Sequence, residues 1–330
     1  MNSPVHTSPL PAAAPRAPNF TQIYREDHDA TKAELLRGLS APAAVTSPKF
    51  LYDTLGSRLF EAITELPEYY PTRTEAAIFQ AHGTAMAQAV GPVGSFIDLG
   101  AGNCSKALSL FPVLQPQRYV AVDISVEFLR DALARVQREH PLLDVSGVGL
   151  DFSSRLHMPP GSVQGRPVYF YAGSSIGNFT PDEAVPFLAS VREQASGGGL
   201  LIGVDLVKAS DVLEPAYDDA LGVTAAFNLN LLLHLNRLIG SNFRPREWRH
   251  IGLFDRAQSR IEMHLEARRA LTVAWPGGER RFEAGERIHT ENSCKYTVQG
   301  FEALLAKSGF ARGRHWLDER GWFAVFWAPA

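Results

Sequence analysis

Three short stretches of the chain carry residue types that could hold an adenosine-bearing ligand. Ile97-Asp98-Leu99-Gly100-Ala101-Gly102 closes an apolar run and opens a helical pattern. Glycines at such a junction let the backbone approach a ligand closely, and the helix N-terminus favours negative charge nearby. Asp123 closes the next apolar run, about twenty residues on, where a carboxylate accepts hydrogen bonds from ribose hydroxyls. Asp151-Phe152 closes the third, offering an acceptor and an apolar face suited to adenine. Each signal is weak by itself, since Gly-x-Gly also makes ligand-free turns and an Asp also caps helices. Together they fall at the carboxyl ends of consecutive strands, where open α/β sheets bind their ligands. The loop has Ser105-Lys106 where a dinucleotide fingerprint places its third glycine, and no phosphate-cradling Gly-Lys-Ser/Thr loop occurs. S-adenosylmethionine carries no phosphate and suits this loop better than a nicotinamide dinucleotide does.

The elements that must position these residues alternate. Apolar runs at Ser95–Leu99, Tyr119–Asp123, Val145–Phe152, Val168–Ala172 and Leu200–Leu206 predict strands. Helical patterns at Ser105–Leu114, Val126–Glu139 and Pro181–Ala195 separate them. Continuous apolar strands alternating with helices predict a parallel sheet covered on both faces, a doubly wound α/β domain. Ahead of it, helices are expected at Ile23–Leu39, Ser57–Leu66 and Thr72–Val90, with Pro71 near the first turn of the last. Pro67-Glu68-Tyr69-Tyr70-Pro71 makes a stiff connector, a good place to hold two aromatic rings still.

After Leu206 the rhythm breaks. A helix is expected over Ala216–Ile239, then strands at His250–Phe254, Arg260–Leu265, Ala270–Ala274 and Arg280–Phe282, with a turn at Pro276-Gly277-Gly278. The chain returns to a helix at Val298–Ser308 and strands at Ala311–Asp318 and Trp322–Trp327. Residues 208–292 are therefore read as an inserted α+β segment between the fifth and sixth strands. Residues 20–207 and 293–330 form the main domain, and 1–19, rich in Pro, Ala and Ser, a disordered leader.

Composition narrows the partners. A formal charge of -3 over 330 residues gives no general field for nucleic acid or an anionic membrane. The ten histidines are scattered without a pair at metal-ligand spacing, so no metal is expected. Two cysteines, Cys104 and Cys294, make no disulfide framework and read as small buried hydrophobes. The longest apolar run, Trp322–Ala328, falls far short of the roughly 20 residues a spanning helix needs. A soluble, cytoplasmic monomer acting on a small molecule is the expectation.

Four longer strings point further. They are Tyr52-Asp53-x-x-Gly56-Ser57-x-Leu59-Phe60, Leu66-Pro67-Glu68-Tyr69-Tyr70-Pro71-Thr72-Arg73-Thr74-Glu75, Gly173-Ser174-Ser175-Ile176-Gly177-Asn178-Phe179 and Thr290-Glu291-Asn292-Ser293-Cys294-Lys295-Tyr296. With them the chain resembles, from about Ile23 to Trp327, the histidine-specific methyltransferase family, bacterial enzymes that make hercynine on the way to ergothioneine. The resemblance implies a class I S-adenosylmethionine methyltransferase fold, Rossmann-like, with an inserted substrate domain. It implies that Gly100, Lys106, Asp123, Asp151 and Phe152 contact S-adenosylmethionine. It implies that Asn178 and Tyr217 hold the carboxylate of L-histidine and fix its amine, with Gly173 nearby. Tyr52 and Tyr69 would line the cavity around the amine and ring, Glu291 and Ser293 would bond the imidazole, and Met263 would pack on it. Tyr52 and Asn178 would be the catalytic residues. The family's cofactor loop is varied here, as Ala101-Gly102-Asn103-Cys104, without loss of a hydrogen-bonding side chain.

The chemistry suits those residue types. Methyl transfer from a sulfonium to an amine is an in-line displacement, for which orientation alone can contribute on the order of 7–11 kcal/mol. The amine must be neutral to attack, and its proton can leave to water through a tyrosine or asparagine contact, so no catalytic His or Cys is required. Aromatic rings at Tyr52 or Tyr69 would favour a quaternary ammonium product by roughly 0.5–2 kcal/mol. Two alternatives stay open: another amino acid or a histidine derivative as acceptor, and a non-catalytic protein that binds S-adenosylmethionine or histidine. Glu291 beside Met263 speaks against a bulky indole, which would desolvate the carboxylate.

Overall fold

The computed structural model describes residues 16–23, 28–152 and 156–330. Strand β1 (Asn19–Gln22) is followed by helix α1 (His28–Ser40), the short strand β2 (Ala44–Val45) and a single 3-10 turn, Pro48–Leu51. Helices α2 (Thr54–Thr64) and α3 (Tyr70–Val90) come next. The alternating stretch runs β3 (Ser95–Leu99), α4 (Ser105–Leu114), β4 (Arg118–Asp123), α5 (Val126–Glu139), β5 (Asp144–Gly149) and β6 (Pro167–Tyr171). A 3-10 turn, Ser175–Asn178, then leads to α6 (Pro181–Gln194) and β7 (Gly199–Asp205). Beyond it lie α7 (Ser210–Leu213), α8 (Val223–Ile239), β8 (Trp248–Asp255), β9 (Arg260–Ala267), β10 (Leu271–Trp275), β11 (Gly278–Phe282) and β12 (Arg287–Cys294). The chain ends with α9 (Val298–Lys307), β13 (Arg314–Leu317) and β14 (Phe323–Pro329).

Eight strands form the main sheet in the order β1-β5-β4-β3-β6-β7-β14-β13. From β1 to β7 neighbours run parallel, and β14 is antiparallel to both β7 and β13. Successive strand residues point to opposite faces, and both faces are dry. Ile97, Leu99, Val120, Val122, Ile202 and Phe326 pack against Leu188 and Val191 of α6 and Phe301 and Leu304 of α9. Phe96, Tyr119, Ala121, Phe170, Leu201 and Val325 pack the other way, onto α3, α4 and α5 through Met86, Leu110, Phe111 and Leu133. The order of strands reverses between β3 and β6, which opens the ligand crevice of a doubly wound sheet above β3. This is the fold class expected from the alternation. No described helix is long and apolar enough to cross a membrane.

A second sheet, β2-β12-β9-β8, lies apart from the first, with β10 and β11 as a separate hairpin. Its apolar face, including Ile261, Met263, Leu265 and Ile288, packs on Phe227, Leu231 and Leu235 of α8. Leu35 and Leu39 of α1, Leu51, and Ile63 of α2 join the same core, so α1 and α2 pack with the second sheet while α3 stays on the first.

Several expected boundaries move. Of the expected leader, residues 1–15 lie outside the described residues, and Asn19 already belongs to β1, which pairs with β5 at the sheet edge. The first helix begins at His28 rather than Ile23, and residues 24–27 lie outside the described ones. The helix expected from Ala216 begins at Val223, because the Asp219 carboxylate accepts from the amides of Val223 and Thr224 and starts the helix there. Tyr217 consequently sits in the preceding loop. The third strand stops at Gly149, leaving Asp151 and Phe152 in the connection after it. The domain boundary placed at 292/293 falls inside β12, a strand with no apolar alternation because its buried positions include Thr290, Glu291 and Ser293.

Candidate active site

A cavity opens between the carboxyl ends of the main sheet and the second sheet. Its wall includes Tyr52, Tyr69, Gly173, Asn178, Tyr217, Met263, Glu291 and Ser293, together with Phe60, Ile63, Thr224 and Phe227. All eight expected acceptor-site residues thus face one space, although they come from six separate stretches of chain.

Local structure explains each placement. Tyr52 follows the turn Pro48–Leu51, and Asp53 caps α2 by accepting from Gly56 N at 2.7 Å. Asn230 on α8 donates to the same carboxylate at 2.7 Å and Arg237 pairs with it, which ties the Tyr52 segment to α8. The Tyr52 carbonyl accepts from Ser125 Oγ at 3.0 Å, just past β4. Tyr69 sits in the middle of its proline-bounded connector, just before α3, where Arg73 donates to the carbonyls of Leu66, Pro67 and Tyr69. Asn178 ends its 3-10 turn, which approaches β12 so closely that a Cβ on Gly177 would lie 2.9 Å from the Cys294 oxygen. Only glycine fits there, and the approach brings Asn178 Nδ2 to 3.5 Å from Glu291 Oε1.

The polar groups are not arranged as two separate clamps. Asn178 lies beside Glu291, while Tyr217 Oη lies 2.7 Å from Ser293 Oγ. Burial pushes the Glu291 carboxyl up to about 8, with the Lys295 ammonium pulling the other way. Burial also raises the phenols of Tyr52, Tyr69 and Tyr217, reinforced by Glu291, by Tyr217 and by Asp205 respectively. These phenols are protonated throughout the physiological range.

Behind this wall is a buried ionic cluster to which the sequence reading assigned no role. Lys295 Nζ meets Asp205 Oδ2 at 2.8 Å, and both side chains are fully buried. Asp205 also accepts from Tyr70 Oη at 2.6 Å and from Lys208 Nζ at 2.5 Å. Burial works to raise Asp205, but Lys295 and Lys208 outweigh it and hold the carboxylate below its usual range. One signal could have found Lys295. Glu291, Ser293 and Lys295 are two apart, the spacing that puts side chains on one face of a strand.

The expected donor-binding residues gather at the neighbouring strand ends. Gly100 follows β3 at φ 68, where a Cβ would lie 3.7 Å from the Phe152 ring. Asp123 ends β4 and accepts from Gly102 N and Ser125 N, each at 2.9 Å. Burial raises its carboxyl while those amides oppose the rise. Asp151 lies 3.3 Å from Lys49 Nζ, which also binds Glu34 at 2.9 Å. Lys106, on the first turn of α4, pairs with the buried Glu75 at 2.7 Å. Glu75 in turn accepts from Gly173 N, so the two regions touch through Lys106, Glu75 and Gly173. Both cysteines are buried and unpaired, and burial carries Cys104 to about 12, which keeps it a thiol.

Comparison with known proteins fits this geometry. Residues 31–330 match the family model described as histidine-specific methyltransferase, SAM-dependent. This chain belongs to the histidine-specific methyltransferase family. It is 37% identical over 304 residues to the histidine N-alpha-methyltransferase of Mycolicibacterium smegmatis, covering 90% of this chain and 94% of that protein. The enzyme of the same name from Mycobacterium tuberculosis matches at 37% over 306 residues, with the same shares of the two chains, 90% and 94%. Ergothioneine biosynthesis protein 1 of Neurospora crassa is 32% identical over 279 residues, 81% of this chain but 31% of that longer protein. The chain is accordingly a methyltransferase that uses S-adenosylmethionine, and its main sheet is the class I arrangement of that family.

Proposed function

We propose that the protein trimethylates the α-amine of L-histidine, giving hercynine, a step of ergothioneine biosynthesis. The observation that carries this reading is a single cavity in which Glu291 and Ser293, from one strand, face Asn178, Tyr217, Tyr52 and Tyr69. Such a cavity offers polar partners for an amino acid at both ends and apolar surface from Met263 and Phe227 between them.

The strand-end residues suit the methyl donor. Asp123 spends one lone pair of each oxygen on a backbone amide and keeps the others for a ribose. The absence of a side chain at Gly100 leaves room beside the Phe152 ring for adenine. S-adenosylmethionine, when bound, supplies an activated methyl on a sulfonium. The chain supplies alignment and proton management. Asn178 holds the carboxylate and amine of histidine with the Tyr217 ring beside it, Glu291 and Ser293 hold its imidazole, and Met263 packs on the ring. The buried Tyr52 hydroxyl accepts an amine N–H and passes the proton toward water, keeping the nitrogen lone pair free. The rings of Tyr52 and Tyr69 favour the cationic product by roughly 0.5–2 kcal/mol.

Incubation with L-histidine and S-adenosylmethionine, followed by mass spectrometry, tests the reading. Mono-, di- and trimethylated histidine are expected in sequence. No methylated histidine at millimolar substrate overturns it.

A further inference from the structure

The buried hydroxyls of Tyr217 and Ser293 share one cation. Lys295 Nζ lies 2.9 Å from Tyr217 Oη and 2.8 Å from Ser293 Oγ, and its remaining N–H meets Asp205 Oδ2 at 2.8 Å. An ammonium has three protons to donate and no lone pair to accept with. All three are spent on these oxygens, so each hydroxyl oxygen is an acceptor toward Lys295. The two hydroxyl oxygens are themselves 2.7 Å apart, a distance that holds one proton between them. Of the two hydroxyl protons, one is left over. Among the described residues neither oxygen has another hydrogen-bond partner. The leftover proton therefore points into the cavity. A phenol is the stronger donor of the pair, which puts the Tyr217 proton in the bridge and turns that of Ser293 outward.

We infer that Lys295 is a specificity-determining positioning residue: it makes both hydroxyls accept, and so obliges Ser293 to present a proton to the methyl-accepting molecule. The inference rests on the reading of the cavity as an L-histidine site and says how that site selects the ring. Glu291, two residues earlier on the same face, offers a carboxyl oxygen that accepts from an N–H. The wall then asks for one donor and one acceptor. A neutral imidazole has one N–H and one bare nitrogen and meets both demands, whereas an indole or pyrrole has a donor alone and a phenyl ring neither. Asp205 keeps Lys295 in place, itself held by Tyr70 and Lys208. None of these three reaches the cavity lining, so their part is to orient rather than to react.

The test compares kcat/KM for L-histidine with that for its pyrrole isostere, in which the ring nitrogen facing Ser293 is CH. The native enzyme is expected to prefer histidine by about 100-fold or more, because the isostere leaves the Ser293 proton unpaired. In Lys295→Met the preference is expected to fall about tenfold or more, through a higher KM for histidine with the isostere little changed. Lys295→Met/Asp205→Asn removes the cation and its counter-charge together and is expected to show the same fall in a protein without an unpaired buried charge. Adding Lys295→Met to Ser293→Ala should leave the preference where Ser293→Ala alone puts it. A native preference that survives undiminished in both Lys295 variants overturns this inference and leaves the acceptor reading standing. A native enzyme that methylates the isostere as well as histidine overturns the inference as well, and only the absence of methylated histidine overturns the acceptor reading.

Discussion

At the ends of the main sheet, Gly100, Asp123 and Asp151 follow β3, β4 and β5 in turn, each at or within two residues of the strand's end. The acceptor cavity is assembled otherwise, from the approach to α2, the connector before α3, the turn after β6, the loop before α8, and strands β9 and β12. The first region is a property of one sheet: any doubly wound order leaves neighbouring strand ends beside a crevice. The second exists only once two sheets and two helical segments have packed. The difference shows in the electrostatics. Asp123 is steadied by backbone amides of the loops after β3 and β4, whereas Glu291, Tyr217 and Ser293 depend on two buried charges, Lys295 just past β12 and Asp205 at the end of β7. Removing one partner of such a buried pair costs about 3–5 kcal/mol, so the acceptor wall is where mutation should be felt most.

The comparison can be broken by substitutions that ought to act on one region alone. Glu291→Ala is expected to have the largest effect, raising the KM for histidine by about 100-fold with the KM for S-adenosylmethionine within about twofold. Steady-state kinetics with each substrate varied would show it, and equal changes in both would mean that the regions are not separable. Gly173→Ala strikes the border. Its φ of 73 disfavours a side chain and the new Cβ would lie 2.7 Å from Lys106 Nζ. Both KM values should rise on the order of tenfold, and a change confined to one substrate would show that Lys106, Glu75 and Gly173 do not couple the two. Asp123→Ala should weaken S-adenosylmethionine alone, by about tenfold in Kd measured by titration calorimetry.

The smallest effect sharpens the electrostatic contrast. A carboxyl whose folded value is raised has its contribution to stability intact below its ordinary value and loses it as pH rises through the folded one. For Glu291 that window runs from 4.5 to about 8. Glu291→Gln should therefore match the native protein in Tm near the bottom of the window and exceed it increasingly toward the top, by a few degrees in thermal scans. A gap that narrows as pH rises would contradict the buried, raised carboxyl.

Local periodicity carried much of the scaffold. The limits of α4 and α5 follow their apolar spacing to the residue, and β3 likewise, because strands buried on both faces read as unbroken apolar runs. The same rule concealed β12. A strand whose inward positions are Glu291 and Ser293 has no apolar signature, and its polarity makes sense only once a cavity lies against it. Tyr217 was misplaced on a helix for a related reason, since the capping by Asp219 that starts α8 six residues later is a side-chain choice weaker than the apolar pattern around it.

By itself the amino-acid sequence determined the alternating sheet, the adenosine-binding character of its strand ends and, through long motif strings, the family. Periodicity and turn chemistry act over a few residues and survive without tertiary context. The tertiary structure alone decided that Asn178 stands beside Glu291, that Tyr217 and Ser293 share Lys295, and that Asp205 on β7 anchors that cation. Apart from Ser293 and Lys295, neighbours on one face, those pairings join residues tens to more than a hundred positions apart, and in a chain no local rule places them. They form because a buried charge must find its partner wherever packing brings one.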